Sequence, residues 1–188
     1  MPSDSAARID QILCELGFPS DYAARHALAL QPEADETTLV AIGKTPAGDD
    51  VRLVPAVADA WRKMQAAALG NGITLLAHSG YRSIARQEKI IRGKLSAGRP
   101  LAEIVRMNAA PGYSEHHTGR AVDIGAPGEP ALEESFADST AYRWLVQHAE
   151  VYGFRLSYPP RNPHGIAFEP WHWCWHPVRD SPRPAGMN

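Results

Sequence analysis

The chain has 188 residues, 44% hydrophobic and 21% charged, a balance that suits one sizeable core and excludes a wholly disordered chain. A formal net charge of −2 argues against a phosphate-tracking surface, so no nucleic-acid partner is expected. No run approaches the ~20 apolar residues that a membrane-spanning helix needs.

Residues 5–17 place Ile9, Ile12, Leu13 and Leu16 at helical spacing, with Ser3 or Asp4 as N-cap and Gly17 as the stop. A second short helix is predicted over 20–30, ending before Pro32. Leu39–Lys44 and Val51–Val54 flank the turn-rich segment TPAGDD and read as a hairpin. Pro55 suits the first turn of a helix running to about Leu69, which Gly70-Asn71-Gly72 ends. ITLLAHSG (73–80) reads as a strand, 83–94 as a polar-faced helix and 100–108 as a shorter one. AVDIG (121–125) is a short buried strand. An amphipathic helix over 139–152 stops at Gly153, FRLSY (154–158) is a strand, and 166–175 is a final strand or strand pair broken at Pro170. Without a regular βαβ rhythm, these elements predict an α+β domain with a mostly antiparallel sheet and flanking helices. The expected organisation is an N-terminal helical appendage over 1–35, a catalytic domain over 36–176 and a loosely held tail over 177–188.

The opening stretch has an acid at Asp4 and no unbroken apolar run, so it is not a Sec-type signal peptide. That favours the cytoplasm, with the periplasm or cell envelope as the location if the chain is a trimmed form. Cys14 and Cys174 form no CxxC pair, which excludes a cysteine-built zinc finger and leaves a disulfide between them open.

Two of the eight histidines' neighbourhoods stand out. In PGYSEHHTGRAVDIG (111–125), His116 lies in a loop of small polar residues and Asp123 sits seven residues on, between Val122 and Ile124. A carboxylate in such an apolar run needs a strong partner. Imidazole nitrogen with carboxylate oxygen suits a metal such as zinc; the plainer alternative is a surface histidine with a capping aspartate. In FEPWHWCWHP (168–177), Trp171, Trp173 and Trp175 share one face of a strand while His172, Cys174 and His176 share the other. Glu169 and His172 would face opposite ways on a flat strand, but a bend at Pro170 would turn both to one cavity. The alternative is an aromatic core edge with a buried histidine. Together, His116, Asp123 and His172 make three ligands with a fourth position left for water, and Glu169 is placed to take a proton from that water.

SEHHTGRAVD resembles the Ser-x-His-x-x-Gly-x-Ala-x-Asp motif of the LAS-type metallopeptidases, at Ser114, His116, Gly119, Ala121 and Asp123. EPWH (169–172) is similar to that family's Glu-x-x-His. SGYRS (79–83) with Gln87 is similar to the segment preceding these motifs in VanY-like D-alanyl-D-alanine carboxypeptidases, and the resemblance covers roughly 53–176. It implies the LAS peptidase fold, one Zn2+ on His116, Asp123 and His172, Glu169 as base and then acid, Arg82 on the substrate carboxylate or scissile carbonyl, and Ser114 and Gln87 on the terminal residue. His117 stands where the family often has glutamine. Ser157 replaces an arginine common before Tyr-Pro, and Cys174-Trp175 replaces Arg-Tyr. The expected substrate is a peptidoglycan stem peptide or a small D-Ala-D-Ala peptide, cut as a D,D-carboxypeptidase. The alternatives are a D-Ala-D-Ala dipeptidase, an L,D-carboxypeptidase, or a non-catalytic metal-stabilised module that binds cell-wall peptides.

Overall fold

The computed structural model describes residues 4–45 and 48–177. Ser3 of the expected first cap, part of the 45–50 turn, and the tail from 178 onward lie outside the described residues.

The first helix, α1 (Asp4–Glu15), buries Ile9, Ile12 and Leu13 along one stripe, followed by Leu16 and Phe18. Helix α2 is shorter than its pattern suggested, spanning only Tyr22–Arg25. The chain turns left-handed at Ala27, with φ of 46°, and the Leu28 N–H returns to the Ala23 carbonyl, which closes the helix. Strands β1 (Val40–Lys44) and β2 (Asp50–Leu53) form the expected antiparallel hairpin. Helix α3 (Pro55–Gly70) starts on its proline and buries Val57, Ala58, Trp61, Met64 and Ala68 along one face.

Strand β3 (Leu76–Ser79) leads through Gly80 to α4 (Ile84–Ser96), where the Ser83 hydroxyl accepts the Arg86 N–H. Helix α5 covers Leu101–Ile104 rather than 100–108. Past it the Arg106 and Met107 N–H groups bond the Glu103 and Ile104 carbonyls three residues back, so the chain tightens into turns, and Asn108 Nδ2 also donates to the Ile104 carbonyl. Strand β4 (Ala121–Gly125) is buried at every position. Helix α6 (Thr140–His148), capped by Ser139, tightens into a 3-10 turn over Ala149–Tyr152 that ends at Gly153. Strands β5 (Phe154–Leu156) and β6 (His172–Trp175) complete the structure. The expected strand over 166–175 is confined to its last four residues, because 169–172 forms a turn: the His172 N–H bonds the Glu169 carbonyl.

The main sheet has the order β3-β4-β6-β5, with every neighbouring pair antiparallel, as expected of an α+β domain. One core lies between α3, α6 and the sheet, built on Trp61, Met64, Val122, Ile124, Phe154 and Trp173. A second joins α1 and Tyr22 to Ile91, Ile104, Tyr113, Tyr158 and Ile166. Among the described residues no helix is long and apolar enough to cross a membrane. Cys14 is exposed, Cys174 is buried, and both are free thiols.

Candidate metal centre

Alternation along β4 sends Val122 and Ile124 into the first core and Asp123 to the opposite face. In the antiparallel register Asp123 stands directly opposite His172, so the two side chains meet across the strands. Asp123 Oδ1 lies 3.1 Å from His172 Nδ1. A one-residue slip would put them on opposite faces, so the register itself builds half the site.

His116 arrives from a 3-10 turn, Glu115–Thr118, that ends at Gly119 with φ of 64°. A Cβ at Gly119 would lie 3.0 Å from Val54 Cγ1, so both the left-handed backbone and the tight approach to Val54, between β2 and α3, call for glycine. This turn folds the loop back on the strand and brings His116 Nε2 to 3.3 Å from Asp123 Oδ2. His116, Asp123 and His172 are all buried, and one ligand atom from each lies within 4.8 Å of the others.

The donor set shows that a cation fits here. His116 Nδ1 lies 2.6 Å from the Gly80 carbonyl, which can only accept, so Nδ1 carries the hydrogen and Nε2 turns its lone pair inward. His172 Nε2 donates to Glu115 Oε2 at 2.8 Å, leaving Nδ1 to face Asp123. Two imidazole lone pairs and a carboxylate converging at 3.1–3.3 Å repel one another unless a positive charge sits among them. Without a metal that charge is a proton. Burial disfavours charge on His172, but its hydrogen bonds to Asp123 and Glu115 outweigh burial and raise it to about 10. Burial also pushes the Asp123 carboxyl up, but His116 and His172 override this and hold it well below the usual carboxylate range. His116 is held low, first by burial. A divalent ion meets the same electrostatic demand, and two nitrogens with one carboxylate oxygen are a zinc-type set that leaves a coordination position open.

Glu169 joins the group through the Pro170 turn. Its backbone N–H bonds the Tyr158 carbonyl, the Trp173 indole donates to the Pro170 carbonyl, and Glu169 Oε2 comes to 3.9 Å from His172 Nδ1. Burial raises the Glu169 carboxyl to about 7, with His172 opposing and Asp123 adding to the rise. A carboxyl poised there can both take and return a proton near neutral pH.

These groups line a cavity of about 210 Å³ that also holds Arg82, Ser114, Tyr158 and Trp171. Arg82 is half-buried: its Nη2 donates to Ser114 Oγ at 3.3 Å, and among the described residues its buried Nε has no hydrogen-bond partner. Gln87 is not among the lining residues. It is fully buried, with Nε2 donating to the carbonyl of Ala109, which is itself part of the wall. Gln87 therefore stands behind the wall at Ala109, and among the described residues its buried Oε1 has no hydrogen-bond partner.

His117 points away from the cluster. It accepts the Gly112 N–H on Nε2 and donates from Nδ1 to the Arg82 carbonyl, and burial lowers it to about 4, so it is a neutral strut behind Arg82. Burial first, and Glu115 beside it, push the Cys174 thiol up, and Cys174 is not in the ligand cluster. Sequence reasoning passed over Glu115. Burial would raise its carboxyl, but His172 and the Ser157 hydroxyl bring it down to about 2. The available signal was an acid between Ser114 and His116 in a loop that had to fold inward.

An antiparallel sheet carrying a His–Asp–His cluster beside a raised carboxyl and a half-buried arginine has the parts that a mononuclear metallopeptidase uses. The comparisons narrow this class. The family model for the VanY D-alanyl-D-alanine carboxypeptidases matches residues 50–178, and the chain belongs to that family. It is 40% identical to YodJ of Bacillus subtilis (strain 168) over 121 residues, which are 61% of this chain and 43% of that protein. It is 35% identical over 130 residues to the bifunctional D-Ala-D-Ala dipeptidase and carboxypeptidase VanXYC of Enterococcus gallinarum, covering 66% of this chain and 67% of that one. The chain thus spans less than half the length of YodJ. Among solved structures, the LdcB LD-carboxypeptidase superposes with a TM-score of 0.68 at 30% identity, over 76% of this chain and 69% of that one. A vancomycin-resistance D,D-pentapeptidase VanY in complex with Zn(II) superposes with a TM-score of 0.57 at 27% identity, over 77% and 83%.

Proposed function

We propose that this chain is a zinc-dependent carboxypeptidase that removes the terminal D-alanine from peptidoglycan-type D-Ala-D-Ala peptides. The observation that carries this reading is the convergence of His116, Asp123 and His172 in one cavity with Glu169 and Arg82. The three ligands would hold one zinc ion, as the VanY relative holds Zn(II). An ion held there would supply Lewis acidity and a water of lowered pKa, towards ~7 for zinc.

The chain's own groups do the rest. Glu169 takes the proton of the attacking water and returns it to the departing amine nitrogen, the two transfers its near-neutral carboxyl suits. Arg82 offers a planar fork to the substrate's terminal carboxylate, with Ser114 bracing one arm. Its charge also favours the oxyanion that develops on the carbonyl oxygen as the water attacks the carbon. Tyr158 and Trp171 wall the cavity. Gln87 shapes the wall behind Ala109.

A second reading has one observation in its favour. The likeness to the LdcB LD-carboxypeptidase supports cleavage of an L,D bond in a shorter stem peptide. Zinc-loaded protein incubated with a panel of free dipeptide, tetrapeptide and pentapeptide separates the readings. Release of D-alanine from the pentapeptide is expected. Release from the tetrapeptide alone supports the L,D reading, and turnover of the dipeptide alone supports a dipeptidase. Binding without any cleavage would make the chain a non-catalytic cell-wall peptide module.

A further inference from the structure

His172 is engaged at both nitrogens, by two different carboxylates. Nδ1 faces Asp123 Oδ1 at 3.1 Å, on the cavity side. Nε2, on the far side of the ring, lies 2.8 Å from Glu115 Oε2. The Ser157 hydroxyl donates to that same oxygen from 2.6 Å, so the carboxylate is itself held in place. Among the described residues no lysine or arginine forms an ion pair with Glu115, so its charge is directed at the imidazole.

The chain order makes this economical. Glu115 and His116 are consecutive residues of one 3-10 turn. That turn delivers His116 as a ligand on one side and Glu115 to the back of His172 on the other. Ser157 follows β5 directly, and its N–H approaches the His172 carbonyl, so the brace comes from the strand beside β6.

A neutral imidazole has a single N–H, and a carboxylate can only accept. Glu115 therefore fixes that hydrogen on Nε2 and leaves Nδ1 unprotonated for a metal. It also stops the ring from turning, and its negative charge makes Nδ1 a better donor to a cation, as second carboxylates do behind other metal-bound histidines. His116 has a backbone carbonyl, that of Gly80, in the same role, so the two histidines are oriented by partners of different charge.

We propose that Glu115 is a positioning residue of the metal centre, one that sets the tautomer and orientation of His172 from behind, with Ser157 as its brace. This rests on the reading of His116, Asp123 and His172 as zinc ligands, and the experiment separates the two. Zinc affinity of the full chain is measured by chelator competition for the wild type, Asp123→Ala, Glu115→Ala, Glu115→Gln and Ser157→Ala, and Co(II) is substituted to record the visible spectrum of each.

The expected result is one tight site in the wild type and none in Asp123→Ala. Glu115→Ala should bind about 10- to 100-fold more weakly, with an altered cobalt spectrum. Glu115→Gln, which keeps an acceptor oxygen and drops the charge, should recover part of that loss. Ser157→Ala should lose less than Glu115→Ala, and it carries the comparison if Glu115→Ala does not fold. Long-range 1H–15N spectra of the zinc-loaded wild type should place the hydrogen of His172 on Nε2 and the metal on Nδ1. Wild-type affinity and an unchanged cobalt spectrum in both Glu115→Ala and Ser157→Ala, while Asp123→Ala has lost the metal, would overturn the role of Glu115 alone. Metal found on Nε2 of His172 would overturn it as well. Undiminished binding in Asp123→Ala would bring down the ligand reading itself, and the role of Glu115 with it.

Discussion

The substitution Gly80→Ala tests how the site depends on the backbone that stands behind its ligands. Gly80 has no side chain because there is no room for one: a Cβ would lie 2.6 Å from the Arg52 carbonyl oxygen and 2.9 Å from Val51 Cγ1. Ordinary contact begins near 3.4 Å, so the two backbones must part by about 0.8 Å. The Gly80 carbonyl is the acceptor for His116 Nδ1 at 2.6 Å. The same displacement along that bond would stretch it to about 3.4 Å, beyond the useful range of an N–H···O bond. His116 would then lose the partner that fixes its tautomer. Overpacking of this kind costs roughly 1–3 kcal/mol, which in a chain of this size lowers Tm by about 2–4 °C for each kcal/mol. Zinc affinity should fall about 10- to 100-fold. The assay is a thermal melt with and without zinc, alongside chelator competition. Gly70→Ala is the control, because nothing lies within 4 Å of a Cβ at the end of α3. A Gly80→Ala protein that binds zinc like the wild type would refute the idea that this carbonyl orients His116.

Three further outcomes follow from the site. Glu169→Gln should retain zinc and lose hydrolysis by about 10²- to 10⁴-fold, checked by metal content and turnover on one preparation. Arg82→Lys keeps the charge and loses the fork, so KM should rise for a peptide acid and stay unchanged for the matching peptide amide, measured by steady-state kinetics. The pH dependence of stability should change sign with the metal. In chelator, His172 is raised from 6.5 to about 10, so its contribution is fully present below pH 6.5 and is lost as pH rises towards 10. With zinc, binding requires the unprotonated ligand, so the gain in Tm on adding zinc should grow over that interval, read from paired melts.

How much of this was legible in the sequence depends on the kind of signal. The helices α1, α3, α4 and α6 were readable because each carries a stripe of apolar residues and a recognisable cap or stop. Pro170 marked the bend that brings Glu169 round, because a proline cannot continue a ladder. Asp123 was conspicuous because a carboxylate in AVDIG has to be matched by something. The ends of α2 and α5 were not legible. Ala27 in a left-handed conformation and the shift to bonds three residues back after Ile104 have no signature in the residue pattern. Glu115 escaped for a similar reason: its partners His172 and Ser157 lie 57 and 42 positions away, joined to it only by the strand register. Gln87 was visible as a residue of interest, but burial behind Ala109 is a property of packing that sequence spacing does not encode.

X-ray absorption at the zinc edge of stoichiometrically loaded protein tests the central claim most directly. The account predicts one zinc per chain in a nitrogen and oxygen shell at about 2.0–2.1 Å with the scattering pattern of two imidazoles, and loss of that site in Asp123→Ala. A sulfur shell at about 2.3 Å, which would put Cys174 on the metal, or an unaltered spectrum in Asp123→Ala, would contradict it.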